Sequence, residues 1–121
     1  MSLEEFIRTQ LESVDDLRAL LLLYAAPRQE WDVMSVAGKL YLPPERAAAV
    51  LGRLAAKRFL VAEGEPLRYR FQAQAREAEQ LIGELSELDR ERPVTLINMV
   101  YGRPGAVRAF AEAFKIKKKE N

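Results

Sequence analysis

The chain has 121 residues, 49% hydrophobic and 31% charged, with a formal net charge of +1. That is the size and balance of one folded, soluble domain, not of a disordered or collagen-like chain. Cysteine and histidine are both absent, which excludes a disulfide framework, a thiolate or imidazole metal site and the usual general base at neutral pH.

The opening stretch SLEEFIRTQLES predicts a short helix with Leu3, Phe6, Ile7 and Leu11 on one side. It lacks an apolar signal core, and ALLLLYAA (residues 19–26) is too short to cross a bilayer. A cytoplasmic protein with no membrane partner is therefore expected. Ser13 offers an N-cap oxygen, with Asp16 three residues later in the place a glutamate usually takes. The second helix should run to about Ala25, bury Leu17, Leu20, Leu21 and Tyr24, and stop before Pro27. Trp31, in the loop PRQEWD, is expected to cover the edge of the core.

Asp32 can cap a third helix over residues 33–40, in which Val33, Val36, Ala37 and Leu40 share a face. Pro43 blocks its continuation. Pro44 suits the first position of a new helix, where its missing N–H costs nothing. That helix, about residues 44–57, repeats Ala47, Val50, Leu51 and Leu54 at i, i+3, i+4 and i+7. Two short amphipathic helices across a tight turn predict a helix-turn-helix. FLVA, the turn EGEP and the alternating LRYRF then predict a hairpin, with Leu67, Tyr69 and Phe71 on one face and Arg68 and Arg70 on the other.

Residues 73–92 predict a long helix with a narrow stripe of Ala75, Ala78, Leu81, Ile82, Leu85 and Leu88, closed by Pro93. The part of this stripe running from Ala78 to Leu88 suits either a homodimer seam or packing on the chain's own first helices. VTLINMVY (residues 94–101) predicts a buried helix. After GRPG, residues 106–114 predict a last helix with Val107, Phe110 and Phe114 on one side, followed by a solubilising basic end containing Lys115, Lys117, Lys118 and Lys119. Met34 and Met99 read as core fillers.

The charge is unevenly placed. Residues 1–36 carry three arginines against seven acids, whereas residues 37–76 carry eight cations against three acids. The basic excess falls on the helix-turn-helix and hairpin, as a phosphate-facing surface requires. On a helical wheel, Arg46, Arg53 and Lys57 share one flank of the second helix of the motif, and Arg68 and Arg70 leave one face of the hairpin. These five are the candidate DNA-binding residues, positioned for phosphates and not for bases. The outward arc itself holds Glu45, Ala48, Ala49, Gly52 and Ala56, which cannot make bidentate base contacts. Glu63 and Glu65 at the hairpin tip would repel phosphate. No catalytic, cofactor or metal constellation is present, so an enzyme is not expected.

The segment VAGKLYLPPERAAAVLGRLAAKRFLVAEGEPLRYRF (residues 36–71) resembles the winged helix-turn-helix of MarR-like transcription regulators. Ala37 and Leu40 match the first helix of the motif, and Val50, Leu51 and Leu54 the core side of its recognition helix. In AAKRFL, Arg58 or Phe59 stands where a glycine is often found. ERPVTLINMVY and AVRAFAEAF are similar to the C-terminal part of uncharacterised bacterial proteins of this size, which implies no activity. The resemblance implies a mainly α single domain: a winged helix-turn-helix core with a two-stranded β-wing over residues 13–72, extended by N-terminal and C-terminal helices, the latter over residues 73–121. It implies a DNA-binding transcription regulator that binds double-stranded DNA and dimerises through its C-terminal helices. Winged helices also serve as protein-binding modules. The small outward face and acidic tip keep open the alternative of a protein–protein interaction module with little DNA binding.

Overall fold

A computed structural model describes residues 1–101 of the chain; the expected helix over residues 106–114 and the basic end lie outside the described residues. Six helices and one hairpin follow in the order α1 (Leu3–Gln10), α2 (Val14–Ala25), α3 (Val33–Leu40), α4 (Pro44–Ala56), β1 (Leu60–Glu63), β2 (Arg68–Phe71), α5 (Arg76–Glu91) and α6 (Pro93–Tyr101). The class is mainly α with a two-stranded antiparallel sheet.

Local chemistry sets the helix ends. Ser2, Ser13 and Asp32 each accept a backbone N–H three residues on, from Glu5, Asp16 and Ser35. These contacts occupy amides that the first turn of a helix leaves without partners. α4 has no such cap and starts with Pro44 at its first position. Both α3 and α4 end in a left-handed residue, Tyr41 (φ 57°) and Arg58 (φ 68°). After α4 the Phe59 N–H donates to the Leu54 carbonyl at 3.1 Å and the Arg58 N–H to the Ala55 carbonyl at 3.0 Å. This six-to-one, five-to-two pair is a Schellman ending, whose left-handed position usually takes glycine.

The hairpin pairs Leu60 with Phe71 and Glu63 with Arg68. Trp31 joins its free side through two backbone hydrogen bonds with Tyr69, of 2.8 and 2.7 Å. The expected role of Trp31 at the core edge holds, since its side chain is buried. Tyr69 and Phe71 face inward as expected, but Leu67 is 46% exposed because it lies in the turn, before β2 begins. Tyr24 meets Phe71 edge-on at 5.1 Å, and Phe6 lies 5.5 Å from Phe59, tying α1 and α2 to the hairpin and its approach.

α2 is the central post, packed against α3, α4, α5, α6 and β2. It therefore buries Ala19 and Leu23 as well as Leu17 and Leu20, whereas the expected Leu21 and Tyr24 are half-buried. A helix with neighbours on several sides has no single stripe. On α4 the stripe is as read: Ala47, Val50, Leu51 and Leu54 are fully buried. Leu81, Ile82 and Leu85 of α5 are buried in the chain's own core, against α1, α2 and α6. That settles the packing of this part of the stripe and leaves Leu81 and Leu85 unavailable as a dimer seam. α6 is less enclosed than expected: Leu96 and Val100 are buried, but Val94 is 71% exposed. Met34 is no core filler, being 66% exposed on the outer side of α3, while Met99 is half-buried. Among the described residues no helix is long and apolar enough to cross a membrane.

Candidate functional site

The candidate surface is α4 with its charged flank and the hairpin beside it. Leu54 and its three buried partners fix the rotation of α4 by burying one stripe. Glu45, Ala48, Ala49, Gly52 and Ala56 are consequently all exposed, and the outward arc is as small as the sequence predicts. A β-carbon added at Gly52 would meet nothing within 4 Å. Glycine there costs about 1 kcal/mol of helix stability relative to alanine, with no packing need among the described residues.

All five candidate DNA-binding residues are engaged by the chain itself. Arg46 donates from Nη1 to Oδ2 of Asp15 at 3.2 Å. Arg53 donates from Nη2 to Oδ1 of Asp16 at 2.7 Å and from Nε to Oδ2 at 3.4 Å, with Oε1 of Glu12 at 3.8 Å. Lys57 donates from Nζ to the backbone carbonyl of Gln10. On the hairpin, Arg68 lies 3.5 Å from Glu30 and Arg70 lies 3.6 Å from Glu63. Arg46, Arg53 and Lys57 thus do share a flank, but it is the flank that meets the α1–α2 corner.

These contacts differ in strength. Arg46 and Arg68 keep more than half of their side chains in solvent, and such pairs contribute about 0–1 kcal/mol. The Asp16 pair is of another kind. Asp16 is fully buried, and its oxygens also accept from the Glu12 backbone N–H at 3.1 Å and the Ser13 hydroxyl at 3.3 Å. The hydrogen bond to Asp16 raises the pKa of the Arg53 guanidinium above its ordinary value, ahead of the opposing effect of burial. The spacing from Ser13 predicts only a capping role for Asp16. Its partner is 37 positions away, and nothing in the spacing singles out Arg53 among the arginines.

The hairpin tip carries Glu63, Gly64 and Glu65, all exposed, with Gly64 at φ 93°. Glu12, Asp15, Asp16, Glu30 and Glu63 thus stand against Arg46, Arg53, Arg68 and Arg70, and the surface around α4 alternates in sign. Among the described residues no three acidic side chains gather as a metal site would need.

No family model, curated protein or solved structure matches the chain. The functional reading therefore rests on the residues and their geometry.

Proposed function

We propose that the chain is a protein–protein interaction module on a winged-helix scaffold, docking through the outward face of α4, and not an enzyme. The observation that carries this reading is the engagement of all five candidate phosphate contacts within the chain. A phosphate approaching Arg46 or Arg53 meets Asp15 and Glu12 at the same place, so the long-range attraction that drives non-specific DNA binding is largely cancelled. The face between these cations offers Ala48, Ala49 and Gly52. Small side chains let a second helix approach closely and leave few polar groups to desolvate.

A second reading, the DNA-binding transcription regulator, draws support from the exposure of Arg46 and Arg68, whose single-contact pairs a phosphate can exchange. Fluorescence anisotropy against a labelled random-sequence duplex separates the two. The interaction module should show no binding even at low salt. Binding that falls steeply with added salt would overturn it in favour of the regulator.

A further inference from the structure

Away from α4, the fold leaves an apolar groove open on α2, beside α3 and α6. Leu21 and Leu22 of α2, Leu40 at the end of α3 and Ile97 of α6 line it, and its volume is about 460 Å³. That falls within the roughly 300–1,000 Å³ of small-molecule sites. All four side chains are half-buried, so aliphatic surface remains in contact with water.

Two charges of opposite sign line the same groove, Arg18 of α2 and Asp89 of α5, and its other lining residues are all apolar. Both side chains are exposed. Neither has a hydrogen bond or ion pair among the described residues, so the two are not joined to each other. The groove therefore presents a cation and an anion, each still free to take a partner, beside a dry aliphatic surface.

That combination selects a ligand. An aliphatic chain gains by covering Leu21, Leu22, Leu40 and Ile97, by up to about fourfold in affinity for each methylene buried. A head group with only a carboxylate would gain from Arg18 and lose to Asp89, and an ammonium alone would do the reverse. A head with both charges gains from each. Its carboxylate matches the planar fork of the Arg18 guanidinium, and its ammonium donates to the Asp89 carboxylate. Because Arg18 and Asp89 both reach solvent, the head keeps its contact with water and only the chain is desolvated. We propose that the groove is a binding site for a free zwitterion of this kind, an α-amino acid with a long aliphatic side chain. The site uses a different face from the α4 reading and stands or falls without it.

The test is a titration of the full chain, with labelled methyl groups, followed by NMR at neutral pH. Three eight-carbon probes are compared: 2-aminooctanoic acid, octanoate and octylamine. The amino acid should give saturable shifts centred on the methyls of Leu21, Leu22, Leu40 and Ile97. It should bind about fivefold more tightly than either singly charged probe, as expected for two exposed ion pairs. The preference should then divide by residue. Arg18→Met should bring the amino acid to or below the level of octylamine, and Asp89→Asn should bring it to or below the level of octanoate. Both side chains are exposed, so neither variant disturbs the core. Shifts centred on another surface, a lack of saturation, or equal affinity for the three probes would each overturn the proposal. A preference unchanged in either variant would overturn it too, by removing that residue from the head group.

Discussion

At the scale of single residues, Asp16 shows how much one side chain can carry. It is fully buried, yet its carboxylate accepts from a backbone N–H, a hydroxyl and two guanidinium nitrogens. Removing one member of such a pair costs more than the pair contributes, because the other is left desolvated. Arg53 keeps about a third of its side chain in solvent (34%), which tempers that penalty. Asp16→Asn should therefore destabilise the chain by about 2–3 kcal/mol, below the roughly 3–5 kcal/mol of a pair buried on both sides, seen as a lower urea midpoint. The double replacement Asp16→Leu with Arg53→Met should recover most of the loss, since apolar substitution of a whole buried pair is often neutral or better. A double replacement as damaging as the single would mean that the Asp16 hydrogen bonds to the α1–α2 corner matter more than Arg53. The half of this arrangement that is local was legible in the sequence: Ser13 and Asp16 are three residues apart and cap α2 as that spacing predicts. The other half depends on how α4 rotates and leans against α2, which no local spacing encodes.

At the scale of elements, the ends of α3 and α4 offer two further tests. Asp32 caps α3, and hydrogen bonds from the backbone and then the hydroxyl of Ser35 lower its pKa below the ordinary aspartate value. A carboxylate whose pKa falls on folding adds stability that is present above its unfolded value and lost as pH drops through the folded one. Asp32→Asn keeps an acceptor for the Ser35 N–H but cannot titrate. Its acid-unfolding curve should be flatter than the parent's below about pH 4, the unfolded aspartate range, with the two converging at the lowest pH. At the end of α4, Arg58 occupies the left-handed position of the Schellman turn. A non-glycine residue there carries a strain of about 1–2 kcal/mol, partly offset by glycine's larger loss of freedom on folding. Arg58→Gly should stabilise by about 0.5–1 kcal/mol with an unchanged urea slope. The same two elements show why some of the fold could be read in advance. The apolar stripe of α4, its proline start and the unusual residue after it all lie within sixteen positions. Leu67 departs from the expected inward face because strict alternation does not encode where a strand starts. Met34 lies outside the core because an eight-residue helix with neighbours on one side leaves an apolar side chain exposed on the other.

At the scale of the whole molecule, the uneven charge of the sequence acquires a different meaning. The acidic first third and the basic middle are brought together by folding: Glu12, Asp15, Asp16 and Glu30 meet Arg53, Arg46 and Arg68 across the α1–α2 corner and the loop before α3. Sequence alone exposes the excess of cations and not the partners that neutralise it, so a phosphate-facing surface was the natural expectation. If those acids mask the basic flank, neutral isosteres should unmask it. The variant Glu12→Gln, Asp15→Asn, Glu30→Gln, Glu63→Gln keeps the shape of each side chain and leaves the buried Asp16 in place. It should bind a random duplex at low salt where the parent does not. With four or five phosphates engaged, log K should fall against log salt with a slope of about −4. A parent that already binds with that slope would show the carboxylates to be bystanders and return the flank to nucleic acid. A variant that stays inert would mean that Arg46, Arg53 and Lys57 are held by geometry and not by charge, and that α4 presents only its small face to any partner.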